Sequence, residues 1–189
     1  NKEIEFLNEY EKMIISKNVR LLNDEVEEIY FNNKKINIIG MDDPKIEVDI
    51  ALQNAEDYIP SLKNIFDKDN YSDRINIEVI NKKIENIFKK NKEILKDGYN
   101  ILLSHRPEAF DIYKDYNIDL ILTGHAHGGL LIIPFTNISL IAPNQGFLPK
   151  YIKGPYIDNN TIMYVNMGLG NSIIPIRIFT TPEIFEINI

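Results

Sequence analysis

A chain of 189 residues with 44% apolar and 26% charged side chains suits one domain, or one domain with a large insertion, and can bury a substantial core. Its net charge of −7 lacks the basic surplus of a nucleic-acid surface, and no apolar run approaches the roughly 18 residues of a membrane span. The absence of cysteine excludes disulfides and thiolate ligands, so a metal must be held through nitrogen and oxygen.

The chain opens on Asn1 directly in helical pattern, which reads as the start of a trimmed or processed product. Ile4, Leu7 and Ile14 recur at helical spacing and predict an amphipathic helix over 3–16. Val19–Leu22, Val26–Phe31 and Ile36–Gly40 read as three strands of a meander, with Asn23-Asp24 and Asn32-Asn33-Lys34 as turns. Asp43-Pro44 follows. As an N-cap and first helical residue it starts a helix; the competing reading makes Asp42 and Asp43 metal carboxylates. Residues 45–66 read as helix broken near Pro60, and Asp67–Asn70 as a polar loop. Ile80, Ile84, Ile87, Phe88 and Leu95 predict a helix over 77–96 whose lysines form a solvated face, with Gly98 just past its end.

The three histidines all fall in two segments, Ser104-His105-Arg106-Pro107-Glu108 and Thr123-Gly124-His125-Ala126-His127-Gly128-Gly129. Each follows an apolar run. The pattern predicts strand 101–104, a helix from Pro107 to about Tyr116, and strand 119–123. Such a crossover joins parallel strands, whose carboxyl ends share one sheet edge, the place where α/β proteins bind ligands. His105 and His125 then converge, and His127 points the same way as His125 if the backbone stays extended. Gly124, Gly128 and Gly129 allow tight turning. Short strands over 130–133, 137–141, 161–166, 175–179 and 183–189 complete the chain. Loop 143–156, with Asn144, Gln145, Lys150, Tyr151 and Lys153, is either a surface loop or a wall of a substrate cleft.

A lone histidine at a strand end is commonly a hydrogen-bonded residue without a ligand; three converging ones are poorly explained that way. Ser104-His105 as nucleophile and base is opposed by the opposite directions of adjacent strand residues. A metal centre fits best, since imidazoles suit zinc, manganese and iron, with carboxylates completing the shell.

Ile101–Glu108, Gly124-His125-Ala126-His127-Gly128-Gly129, Ile141–Gly146, Gly168-Leu169-Gly170-Asn171-Ser172 and Pro175-Ile176-Arg177, in that order, resemble the calcineurin-like metallophosphoesterases. The bacterial predicted-phosphohydrolase branch, often attached or directed to the membrane, is the most similar. The resemblance spans nearly the whole chain except residues near 66–97, which it implies are a helical insertion. It implies an α/β (mixed α+β) fold, the second half of a β-sandwich flanked by helices. It also implies a two-metal centre of manganese, iron or zinc, manganese favoured. His105 and His125 would ligate one metal and His127 the other, and a metal-bound hydroxide would attack a phosphate-ester substrate, monoester or diester, in line.

The family's Asp-x-His, Gly-Asp-x-x-Asp and Gly-Asn-His motifs have no counterpart here. The expectation is therefore the C-terminal part of such a domain, with an incomplete metal site, no activity alone, and apolar sheet surface that favours self-association. Leu130 and Met167 stand where the family commonly has Gln and Arg. The alternative is a phosphoesterase-fold interaction module without catalysis.

Overall fold

The computed structural model describes residues 12–13, 16–43, 68–129, 132–133, 136, 138–142, 145–170 and 181–188. The helices expected over 3–16 (apart from helical Lys12 and Met13, and Ser16 in a turn) and 45–66 and the strand over 175–179 fall on residues outside this set, and of the Asp43-Pro44 helix start only Asp43 lies within it.

Six strands form one mixed sheet in the order β1-β2-β3-β4-β8-β7. They are β1 (Glu25–Phe31), β2 (Lys34–Gly40), β3 (Tyr99–Leu103), β4 (Leu120–Thr123), β7 (Gly154–Asp158) and β8 (Thr161–Val165). The inner four run parallel, and each edge strand is added antiparallel through a hairpin. A separate antiparallel pair, β5 (Ile141–Ala142) and β6 (Gly146–Phe147), follows the β4 region. The helices are α1 (Lys68–Lys90), α2 (Lys92–Leu95), a 3₁₀ turn (Pro107–Ala109) and α3 (Phe110–Tyr113). This is an α/β architecture, as expected from the sequence.

Register explains the core. Ile39, Leu102, Ile121 and Met163 are direct neighbours across four strands, and each has 0% exposure. They share one face of the sheet because side chains alternate along each strand. Ile80, Ile84 and Ile87, spaced four and three apart on α1, join them in a single buried cluster with Phe110, Tyr113 and Tyr151. One row nearer the strand starts, the register places Asn37 beside Asn100, both fully buried. Asn37 donates to Asn100 Oδ1 (2.7 Å), and Asn100 donates to the carbonyls of Leu95 (3.0 Å) and Asn117 (2.7 Å). These bonds satisfy both amide NH₂ groups and Asn100 Oδ1, which would otherwise cost free energy in the interior, while Asn37 Oδ1 has no partner among the described residues.

Several expectations are corrected. Residues 19–22 form no strand; Leu22 instead packs so closely on Gly40 that a Cβ there would collide with it. Asp69 and Asn70 lie in α1, not in a loop, because the helix begins at Lys68. Lys83 leaves the solvated face: it is buried, and its Nζ pairs with Asp24 Oδ2 at 2.6 Å. Helix 107–116 is shorter, a 3₁₀ turn and one α turn. Residues 154–158, assigned mostly to a loop, form β7, and 183–188 are described without a strand.

The loop before β7 packs inward. Gln145 clamps the backbone of Tyr151, donating to its carbonyl (2.6 Å) and accepting from its N–H (2.9 Å). The buried Tyr151 ring stands edge-on to Phe110 and Tyr156. Lys150 reaches Asp111 on α3 at 3.4 Å. These contacts fix Gln145, Lys150 and Tyr151 as structural residues of the loop.

Candidate metal centre

The parallel strands β3 and β4 end side by side, with Leu103 opposite Leu122. The Ser104 N–H donates to the Leu122 carbonyl at 3.1 Å, carrying the ladder one residue further. His105 then leaves the sheet beside Gly124, where a Cβ would stand 3.7 Å from its Nδ1. Ser104 turns inward: its hydroxyl lies 2.8 Å from Tyr113 OH in a buried hydrogen bond. That occupation removes it as a nucleophile for His105.

The convergence expected of His105 and His125 is present. His105 Nε2 and His125 Nδ1 are 3.0 Å apart, with the rings edge to face at 4.7 Å. His125 Nε2 lies 3.1 Å from Arg106 Nη1. Because guanidinium has donors and no acceptor, Nε2 must accept, so the His125 proton sits on Nδ1 and is donated to His105. Burial lowers the His105 pKa, with Arg106 and His127 adding repulsion and Asp43 opposing them.

The backbone that carries His127 is not the extended one predicted. His125 (φ 63°) and His127 (φ 53°) are both left-handed, a conformation costing an L-residue about 1–2 kcal/mol. Ala126 between them is fully buried, and its N–H donates to the Gly124 carbonyl at 2.7 Å. Gly128 and Gly129 continue the coil at φ 74° and 87°. Strain of this kind collects at functional loops when the surrounding structure enforces it.

Two residues of the site escaped the sequence. Arg106 is completely buried and donates Nε (2.8 Å) and Nη2 (2.7 Å) to Asp43 Oδ1. Its Nη1, besides facing His125, lies 3.5 Å from Glu108 Oε1. Asp43 is therefore the counter-ion of a buried arginine, an arrangement neither the cap nor the metal reading anticipated. Burial raises the Glu108 carboxyl pKa despite Arg106, and Glu108 Oε2 has no hydrogen-bond partner among the described residues. Local spacing gives no signal for the Asp43 contact, because the pair is 63 positions apart.

Two ring nitrogens 3.0 Å apart subtend about 90° at a cation held roughly 2.1 Å from each. The spacing is that of neighbouring ligands, although here the two nitrogens face each other in a hydrogen bond. Among the described residues, no group of three or more His, Asp or Glu side chains is arranged to hold a metal ion. The fit is that of part of a coordination shell.

No protein-family model matches the chain, and no solved structure matches it. Curated relatives do. The metallophosphoesterase YkuE of Bacillus subtilis is 41% identical over 86 residues, 46% of this chain and 29% of that protein. YkoQ, a metallophosphoesterase of the same organism, is 31% identical over 90 residues, 48% of this chain and 33% of its own. The UDP-2,3-diacylglucosamine pyrophosphatase LpxG of Chlamydia muridarum is 34% identical over 89 residues, 44% and 27% of the two chains. The matches thus span about a third or less of each of these relatives. Together with the mixed α/β sheet, they support the calcineurin-like metallophosphoesterase family for this chain.

Proposed function

We propose that the whole protein hydrolyses a phosphate ester at a two-metal centre, with His105 and His125 as ligands of one divalent cation and His127 as a ligand of the second. The observation that carries this reading is the meeting of His105 Nε2 and His125 Nδ1 at the ends of adjacent parallel strands. Bound divalent cations supply charge neutralisation at phosphoryl oxygens and an acidified water. This chain's residues hold and orient: the Asp43–Arg106 pair braces His125, and Gly124 lets His105 lie across the loop. The matched relatives carry metallophosphoesterase names, which supports the reaction class. Manganese is the favoured metal, with iron and zinc its competitors.

In this reading the chain forms the C-terminal part of the domain, with a helical insertion near 66–97. Carboxylate ligands from the remainder complete the site, and the 189-residue chain is inactive alone. Hydrolysis of an aryl phosphodiester with Mn²⁺ tests this in three samples: the whole protein, its His127→Ala variant, and this chain. The expected order is strong turnover, strongly reduced turnover and none. Robust turnover by the chain alone, or a silent His127→Ala substitution, overturns the proposal.

The same reading has the isolated chain self-associating. Phe31, Ile29, Leu103 and Ile157 share, by register, the sheet face opposite the Ile39–Met163 row, and are 64%, 38%, 39% and 69% exposed. Exposed apolar area on this scale drives association. Sedimentation at rising concentration is expected to show oligomers; a monomer throughout refutes it.

A further inference from the structure

Arg106 is placed where a cation and a guanidinium compete for one imidazole. Its Nη1 occupies the Nε2 lone pair of His125, and the His125 proton lies between Nδ1 and His105 Nε2. A neutral imidazole offers one lone pair and one proton. If a divalent cation takes Nδ1, the proton moves to Nε2 and points at a guanidinium that can only donate. If the cation takes Nε2, it takes the lone pair that Arg106 uses. On either nitrogen, the Arg106–His125 hydrogen bond and the bound cation exclude each other.

Arg106 is buried at 0% exposure and anchored by Asp43 through Nε and Nη2, so leaving for solvent would abandon a buried ion pair. A shorter displacement is available. Nη1 already stands 3.5 Å from Glu108 Oε1, while Glu108 Oε2 has no partner among the described residues. A small rotation about the Asp43 anchor would give up the imidazole and shorten the charge-assisted bond that Nη1 already makes to Glu108 Oε1 at 3.5 Å, the stronger kind.

We infer that Arg106 is a two-position residue that holds His125 when no cation is bound and transfers its Nη1 to Glu108 when a divalent cation takes His125. Asp43 is the pivot and Glu108 the receiver. Metal occupancy is thereby linked to a hydrogen bond on the 3₁₀ turn that carries Glu108 and leads into α3. The inference rests on His125 being a metal ligand, as proposed above, and adds positioning roles for Arg106 and Glu108 that the ligand assignment does not contain.

The test uses the whole protein, ¹⁵N-labelled, titrated with Zn²⁺ as a diamagnetic probe, with His125→Ala and Glu108→Met alongside. In the metal-free protein the His125 Nε2 resonance is expected to report an unprotonated acceptor and a hydrogen bond from Arg106. On saturation that bond should vanish and the Arg106 Nη signals should shift. Glu108→Met keeps volume and removes the receiver; its Zn²⁺ dissociation constant should rise roughly tenfold, as for loss of one charge-assisted hydrogen bond, and its Arg106 signals should broaden instead of settling in a second position. Zn²⁺ binding that depends on His125 while the Arg106–His125 bond persists, or Glu108→Met shifts matching the unsubstituted protein, overturns the two-position residue and leaves the metal site standing. Zn²⁺ binding unaffected by His125→Ala, or no binding at all, overturns both.

Discussion

Asparagine at position 43 separates two physical roles for that residue. Asn caps a helix as well as Asp does, so if Asp43 served only as the start of a helix, Asp43→Asn would shift the melting temperature by less than about 2 °C. In the structure, however, one carboxylate oxygen takes two hydrogen bonds, 2.7 and 2.8 Å long, from a guanidinium with no solvent exposure. Breaking a buried pair by deleting one partner costs about 3–5 kcal/mol. Asn retains an acceptor oxygen, and Asp43 is 23% exposed, so the expected cost is nearer 2 kcal/mol, the difference between charge-assisted and neutral bonds. For a chain of this size each kcal/mol moves the midpoint by about 2–4 °C, which gives a drop of roughly 4–8 °C. Thermal melts of the wild type, Asp43→Asn, Arg106→Met and the double variant form a cycle. The double variant should be clearly less destabilised than the sum of the single ones. A melt for Asp43→Asn within 2 °C of wild type, in a chain that Arg106→Met strongly destabilises, refutes the pairing.

Other outcomes follow from the same structure. Burial raises the Glu108 pKa in the fold, so its contribution to stability is fully present below the unfolded-state pKa and is lost as pH rises through the folded one. Glu108→Gln, which mimics the protonated form, should therefore melt higher than wild type at neutral pH and flatten the pH dependence above the unfolded carboxylate pKa; a lower melt at pH 7 contradicts this. Leu102→Ala removes a side chain with 0% exposure from the middle of the four-strand row and should cost about 3–4 kcal/mol by denaturant titration; a loss under 1 kcal/mol means the row can collapse around the gap. Gly98→Ala faces a positive φ of 98° and Lys35 backbone and side-chain atoms 2.9 Å from the added Cβ. A loss of about 1–2 kcal/mol is expected, and unchanged stability would show that the turn relaxes freely.

The elements visible in the sequence were those whose burial follows a simple period. Val26–Phe31 and Ile36–Gly40, rich in β-branched and aromatic residues, flank a short Asn-Asn-Lys turn and form β1 and β2. The apolar runs before His105 and His125 become β3 and β4, and their parallel pairing follows from the short crossover between them. What escaped was decided elsewhere in space. Val19–Leu22 looks like a strand, but Leu22 lies against Gly40, and no ladder runs through it. Residues 154–156 fell inside the expected 143–156 loop, yet Pro155 belongs to an edge strand, where a missing N–H is tolerated. At the site, the pairing of His105 with His125 was legible because both end adjacent strands. The left-handed turns at His125 and His127 were not, since the glycines that usually mark such turns stand beside these positions, at 124, 128 and 129, and not at them. Arg106 had no assigned role in the sequence until the fold buried it against Asp43.

The Asn37–Asn100 contact at the beginning of the strands acquires a role at their other end. A parallel ladder built from Ile and Leu alone fits nearly as well after sliding, since neighbouring side chains are similar in size. Asn100 prevents that, because moving it by one position would strip the Asn37, Leu95 and Asn117 partners from a fully buried amide. A slip of one residue would also turn His105 to the opposite side of the sheet. The aim of the histidines is thus calibrated about 15 Å away, and damage to the asparagine pair should appear first as misalignment at the site.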